Sequence, residues 1–324
     1  MNQTPLLMVN DLVKHFQVKA APFQKKAKVQ AVDGVSFELV RGETLGIVGE
    51  SGCGKSTTAR VLMQLMPPDK GQIVIEGKQV GSPTGMSVRE MRFLMQMVFQ
   101  DSYASLNPRL TIEETIAFGP QVHGVAFEEA NARARDLLGK VGLDPNLFIR
   151  RYPHELSGGQ RQRVKLAQAI AHDPAVVLLD EPTDGLDPEQ RDEMLRLIRT
   201  VATEFGISVI LSSHLLDEVE RVCDAAVIIG DGRTLASGSL DALRGSGADV
   251  VLELDTGHEA TLIAERLVER SLPHQLDGRT IVVRGDDETA FDITRDICAA
   301  ADVSIHKLSR RRLSLEDVFL ERAS

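Results

Sequence analysis

Gly49-Glu50-Ser51-Gly52-Cys53-Gly54-Lys55-Ser56-Thr57 lies between an apolar run, Thr44-Leu45-Gly46-Ile47-Val48, and a helix-like segment, Thr58-Ala59-Arg60-Val61-Leu62-Met63. Strand, glycine-rich turn and helix is the context that a phosphate-binding loop requires. The glycines let the backbone curl so that several N–H groups point inward at one anion. The start of the helix adds unpaired N–H groups and the positive end of its dipole. Lys55 supplies a point charge for the outer phosphates, and the Ser56 hydroxyl is placed to ligate Mg2+. The spacing Gly-x-x-x-x-Gly-Lys-Ser in this setting predicts a bound nucleoside triphosphate and leaves open what its hydrolysis drives.

Composition sets the frame around this loop. A chain of 324 residues holds one large domain and a small one, and a hydrophobic content of 43% supports a true core. The net charge of -10 makes nucleic acid an unexpected partner. No apolar run approaches the length that spans a bilayer. Met1-Asn2-Gln3-Thr4-Pro5-Leu6-Leu7-Met8 lacks a basic segment followed by a long apolar one, so no signal peptide is expected. Cys53, Cys223 and Cys298 are far apart and form no metal-spaced or disulfide-like set, which fits a reducing cytoplasm. Cys53 has two readings. It is either a thiol whose pKa the helix start and Lys55 lower, or a small residue that fits the turn.

Leu6 to Val18 and Val32 to Val40 read as strands, joined by a basic, irregular loop from Lys19 to Lys28. That loop is either a solvated hairpin tip or a contact for anionic headgroups or a partner. Further strands are expected at Gln72 to Glu76 and Met95 to Gln100. A helical region follows from Thr111 to Leu147, broken at Pro120 and Gly124, and Ser157 opens a helix that runs to about Ala171. Ala175-Val176-Val177-Leu178-Leu179 is wholly apolar, as a central parallel strand covered on both faces must be. A helix from Pro188 to Thr203, a strand from Ile207 to Leu211, a helix from Leu215 to Val222 and a strand from Ala225 to Ile229 continue an α/β alternation. After a Gly245-Ser246-Gly247 linker, the order strand, helix, strand, strand, helix, strand predicts a ferredoxin-like unit, closed by a helix from about Leu315. The expected domains are thus 1–245, with a helical subdomain at about 101–172, and 246–324. The second is read as a regulatory or interaction domain, or as a stabilising appendage.

Asp180-Glu181 follows the buried strand, at the carboxyl end where open α/β sheets place their sites. Asp180 there holds Mg2+ through its water shell, and Glu181 orients and polarises an attacking water. Leu156-Ser157-Gly158-Gly159-Gln160 joins a good N-cap to two glycines at a helix start, a second place able to grip a phosphate.

Together these motifs resemble an ATP-binding-cassette (ABC) ATPase over about Leu6 to Leu243. The resemblance implies an α/β P-loop cassette with an antiparallel β subdomain and a helical subdomain. It makes Gly49 to Thr57 the Walker A loop, Val176 to Glu181 the Walker B strand and Leu156 to Gln160 the signature. It implies that Gln100 senses Mg2+ and the attacking water, that Asp187 belongs to the D-loop, that His214 contacts the γ-phosphate and that Phe16 stacks on adenine. It further implies that two cassettes, identical or different, close head-to-tail around two ATP molecules. The signature of one then meets the phosphates held by the other. Such a pair sits peripherally on the cytoplasmic face of a bacterial-type membrane and drives integral-membrane transporter subunits.

The resemblance divides along the chain. Asp101-Ser102-Tyr103-Ala104-Ser105-Leu106-Asn107-Pro108-Arg109 and Arg151-Tyr152-Pro153-His154-Glu155-Leu156 resemble peptide and nickel importer ATPases. Glu181-Pro182-Thr183-Asp184-Gly185-Leu186-Asp187-Pro188, Leu211 to Glu220 and Leu315 to Glu321 resemble drug and antibiotic exporter cassettes. The join would fall between Leu156 and Leu179. The helical region, which in the family receives the membrane subunit, is of importer type, so peptide import is the expected role and drug or antibiotic export the alternative. A soluble ABC ATPase of translation or repair is disfavoured, because such proteins carry two cassettes or long coiled coils.

Overall fold

In the computed structural model, which describes residues 4–18, 27–100, 106–244, 248–284, 288–312 and 314–323, the apolar run before the phosphate loop is the third strand of the chain. It follows a long antiparallel pair, β1 (Leu7–Val18) and β2 (Ala27–Leu39). That third strand, β3 (Thr44–Val48), leads into α1 (Lys55–Leu62). Then come β4 (Lys70–Ile75), β5 (Lys78–Gln79), α2 (Val88–Leu94) and β6 (Met95–Val98). Four helices follow: α3 (Ile112–Val122), α4 (Phe127–Lys140), the short α5 (Pro145–Phe148) and α6 (Gly158–Ile170). The cassette closes with β7 (Val176–Asp180), α7 (Pro188–Thr203), β8 (Ser208–Ser213), α8 (Leu216–Val222), β9 (Ala225–Gly230) and β10 (Arg233–Ser239).

These strands form two sheets. One is antiparallel, in the order β2-β1-β4-β5. The other runs β10-β9-β3-β8-β7-β6, with β3 parallel to both β8 and β9, and β7 parallel to both β6 and β8. Every residue of β3, β7 and β8 is buried, as the apolar sequence of a doubly covered parallel strand requires. One apolar core joins the two sheets through α1: Leu7, Leu39 and Ile75 on the antiparallel side, Ile47 and Leu178 on the other, Leu62 between. Burial of each such side chain stabilises by about 1.5–3 kcal/mol. The parallel order aligns the carboxyl ends of β3, β7 and β8 on one rim, and Gly49, Asp180 and Ser213 stand there.

The structure departs from the sequence reading in a few places. The strand β2 begins at Ala27, not Val32, because Ala27 and Lys28 pair with Val18 and Gln17 of β1. Cross-strand pairing carries a polar stretch into the ladder that local pattern alone would leave as loop. The rest of the basic connection, residues 19–26, lies outside the described residues. Pro120 does not break a helix. It lies inside α3, and the turn ends instead at Gly124, whose φ is +91°. Lacking an N–H, Pro120 forgoes one i→i−4 bond, and α3 ends two residues later at Val122. The helix α2 escaped the reading although Ser87 and Glu90 form a complete capping box at its start.

The chain divides into two compact units at Gly238–Ser239 rather than at residues 245–247, which lie outside the described residues. The displaced segment is α9 (Leu240–Arg244), which packs with the closing helix of the smaller unit. That unit contains β11 (Ala248–Leu254), α10 (Gly257–Glu269), β12 (His274–Asp277), β13 (Thr280–Val283), α11 (Glu288–Ala300), β14 (Ile305–Arg312) and α12 (Leu315–Ala323). Its antiparallel order β12-β13-β11-β14 is the ferredoxin-like arrangement. Alternate residues Val250, Leu252 and Leu254 of β11 pack against Ile263 and Leu267 of α10 and Cys298 of α11. Burial pushes the Cys298 thiol up to about 11.

Leu252 is fully buried at the middle of that sheet. Leu252→Ala should cost about 2–5 kcal/mol of the smaller unit's stability. Urea or thermal unfolding should therefore show an earlier transition, and an unchanged profile would contradict this packing.

Candidate active site

The phosphate loop is held in shape from behind. Gly54 has a φ of +108°, and a Cβ there would stand 2.0 Å from the Ala31 carbonyl oxygen. Only glycine meets both conditions. The Gly232 N–H donates to the Cys53 carbonyl at 3.1 Å, and the Thr58 N–H to the Gly54 carbonyl at 2.8 Å. Lys55 folds back over the loop, its Nζ donating to the carbonyls of Gly49 at 2.8 Å and Glu50 at 3.0 Å. It is 6% exposed and lies 3.5 Å from Glu181 Oε1. Gly52 and Ser51 complete the turn on its exposed side.

Asp180, at the end of β7, is 1% exposed. A carboxylate so deep needs partners. Its Oδ1 accepts from Ser56 Oγ at 3.0 Å and from Ser212 Oγ at 2.7 Å. The β7–β8 register, which sets Asp180 opposite Ser212, makes the second bond possible. Glu181 then turns sharply, with a φ of +48°. Its N–H donates to both the carbonyl and the hydroxyl oxygen of Ser212, each at 3.1 Å. A left-handed non-glycine residue costs of order 1 kcal/mol, and here it re-aims the side chain over the loop. Glu181 Oε2 lies 2.8 Å from His214 Nδ1 and also accepts the His214 N–H at 3.3 Å. Glu181 is buried, whereas His214 is half-exposed. Lys55, Ser56, Asp180, Glu181 and His214 thus form one connected cluster on the rim, with Thr57 in the first turn of α1 beside it.

The remaining expected residues lie elsewhere. The Gln100 amide donates to Asp184 Oδ2 at 3.1 Å, which ties it to the turn after Glu181 rather than to Ser56 or Asp180. Phe16 stands on β1 opposite Val29, 37% exposed. Leu156 is buried, and Ser157 caps α6. The Ser157 hydroxyl accepts from the Gln160 N–H at 3.3 Å, while Gln160 Oε1 accepts from the Ser157 N–H at 2.9 Å. Gly158 faces open space, and Gly159 packs against the Gln190 side chain. Asp187 caps α7, its Oδ1 accepting from the Gln190 N–H at 2.9 Å. Ser157, Gly159, Gln160, Asp187 and Gln190 line a common cleft of about 290 Å³. The chain therefore presents two separate polar assemblies, one around Lys55 and Glu181, the other around Ser157 and Asp187.

Sequence reasoning missed Ser212, which bonds both acidic residues. It also missed Glu218, which accepts from the Thr183 and Ser213 hydroxyls. The signal for the serines was present: a polar pair, Ser212-Ser213, follows the apolar Val209-Ile210-Leu211 in β8. Of the readings of Cys53, the lowered thiol is overturned. Burial outweighs the Lys55 charge and raises its pKa, and the side chain packs against the core under the loop.

The oligopeptide transport ATP-binding protein AppF of Bacillus subtilis is 40% identical over 237 residues, 72% of this chain and 72% of that protein. The chain belongs to the ABC transporter ATP-binding family. A family model described as ABC transporter matches residues 32–184 of this ABC ATPase. The dipeptide transport ATP-binding protein DppF of Escherichia coli is 38% identical over 242 residues, 74% of this chain and 72% of the relative. Among solved structures, the dimeric post-hydrolysis state of the ATP-binding cassette MJ0796 bound to ADP and phosphate matches with a TM-score of 0.63 at 25% identity, covering 72% of this chain and 99% of that one. The likeness to peptide-transport cassettes, spanning 72% of the ABC ATPase, reaches past the expected join between Leu156 and Leu179.

Because its thiol is raised and part-buried, Cys53 should react with N-ethylmaleimide near neutral pH far more slowly in the folded chain than in the denatured one. Peptide mass mapping checks this, and rapid labelling of folded Cys53 would contradict it.

Proposed function

We propose that this ABC ATPase powers a membrane transporter of the peptide-import type, hydrolysing ATP at the Lys55–Glu181 cluster. The observation that carries the reading is the joining of the phosphate loop to two acidic residues by direct contacts: Ser56 to Asp180 at 3.0 Å and Lys55 to Glu181 at 3.5 Å. Gly49, Glu50, Ser51, Gly52, Cys53 and Gly54 wrap the phosphates with backbone N–H groups, and Lys55 shifts from the loop carbonyls to the phosphate oxygens. Ser56 and Asp180 offer two oxygens side by side at a helix start, a donor set that suits Mg2+. When bound there, Mg2+ supplies positive charge to the outer phosphates.

Glu181 orients a water in line with the γ-phosphate and takes its proton at a carboxylate oxygen. His214, half-exposed and held by Glu181 Oε2, faces the γ-phosphate from the other side. Gln100 carries changes near Asp184 toward the site, and Phe16 stacks on the adenine. Ser157 to Gln160 of a second subunit close the other side: the N–H groups of a helix start and the serine hydroxyl meet the γ-phosphate. Asp187 sits beside them in the same cleft, so that both contact the facing subunit.

Among the described residues no helix is long and apolar enough to cross a membrane. The proposed location, docked on integral-membrane subunits at the cytoplasmic face, rests on the likeness to transporter ATP-binding proteins. The likeness to AppF and DppF supports peptide transport as the driven process.

Glu181→Gln should retain ATP binding and lose turnover by about 10²–10⁴-fold. Wild-type turnover in that variant would remove Glu181 as the base. Coexpressed with peptide-permease membrane subunits, the chain should copurify and show ATPase stimulation. Stimulation only by an exporter's membrane subunits would overturn the import reading.

A further inference from the structure

Among the described residues, the fully buried acid that the proposed mechanism leaves unused is Glu218 on α8, at 0% exposure. Its Oε2 accepts from Thr183 Oγ1 at 2.8 Å and from Ser213 Oγ at 2.9 Å. Its Oε1 lies 3.4 Å from Arg191 Nε, an ion pair without hydrogen-bond geometry. The partners belong to different functional segments. Thr183 is in the turn that begins at Glu181. Ser213 precedes His214, and its Oγ also accepts the Leu215 N–H at 3.0 Å, so this serine brackets the histidine. Arg191 lies in the first turn of α7, the helix capped by Asp187.

One carboxylate therefore ties together the backbone segments that carry Glu181, His214 and Asp187. Hydrophobic packing could not impose this, because a buried hydroxyl left without an acceptor would rotate or drag its backbone toward another. The contact at stake is short: Glu181 and His214 meet at 2.8 Å. Misplacement of a reacting group by 1 Å is enough to cost about 10²-fold in rate.

We propose that Glu218 is a positioning residue for ATP hydrolysis, holding the Glu181 turn, the Ser213–His214 turn and the start of α7 in one arrangement. The proposal rests on the reading of Glu181 as the base. Glu218, at 0% exposure, acts through the groups it holds. Its removal should lower kcat and leave ATP binding in place, whereas loss of a merely structural residue would lower stability and binding together.

The test uses the full-length chain and follows ATP hydrolysis together with equilibrium binding of ATP. Glu218→Leu should lower kcat by about 10–100-fold, with the ATP dissociation constant changed by no more than about threefold. Glu218→Gln keeps an acceptor oxygen for both hydroxyls and should recover kcat to within about threefold of wild type. Should Glu218→Leu fail to fold, the double variant Thr183→Val with Ser213→Ala removes both Glu218 bonds, together with the Leu215 N–H bond to Ser213, and should show at least the same loss confined to kcat. Wild-type kcat in the folded leucine variant or in the double variant overturns the proposal. So does a glutamine variant as impaired as the leucine one, or a parallel loss of ATP affinity. Glu181→Gln is measured alongside. If it turns over normally, the reading of the base fails. If it is inactive while Glu218→Leu is normal, only the role of Glu218 fails.

Discussion

A carboxylate buried to 1% exposure at the end of a parallel strand sets the terms for everything around it. Asp180 cannot stay there without donors. The two it has come from opposite directions, Ser56 at the start of α1 and Ser212 at the end of β8. Satisfying that one oxygen fixes the phosphate loop against β7 and fixes β7 in register with β8. The same register lets Ser212 hold the Glu181 N–H, and the left-handed turn at Glu181 then carries its side chain to Lys55 and His214. The site is a consequence of how one acid is accommodated at a sheet edge, and the packed strands below it keep it rigid.

The second polar assembly obeys a different rule. Ser157 and Gln160 satisfy each other, as do Asp187 and the Gln190 N–H, and these caps leave two helix starts side by side on the lining of one cleft. The start of α7 carries the Asp187 carboxylate, whereas the start of α6 has only the neutral Ser157 and Gln160 against its N–H groups. In the proposed mechanism, the Ser157 cleft of one copy meets the Lys55 cluster of another turned head-to-tail.

The legible parts of the sequence were those where one local rule is decisive. The phosphate loop was visible because only glycine tolerates positions such as 54. The strand β7 was visible because a strand covered on both faces must be wholly apolar, and the cap at Ser157 because a serine before two glycines has little other use. The βαββαβ order of the smaller unit also survived, since its helix and strand periods alternate cleanly. Apart from α2, whose capping box is local, much of what failed depended on partners distant in sequence. Ala27 and Lys28 became strand through pairing with Gln17 and Val18. Of the two readings of Cys53, the small residue that fits the turn held: it is a part-buried thiol, and the core beneath the loop outweighs Lys55. Glu218 was invisible because its meaning lies in Thr183 and Ser213, brought to it by the fold.

If the phosphate-receiving half of one chain works with the capping half of another, two crippled forms should repair each other. Lys55→Ala destroys the receiving half, and Ser157→Phe blocks the capping half. Each full-length variant alone should be inactive as an ATPase. Mixed, they form dimers in which the intact loop of one faces the intact signature of the other, and hydrolysis should return. A mixture as inactive as its parents would contradict a site shared between two copies of this chain.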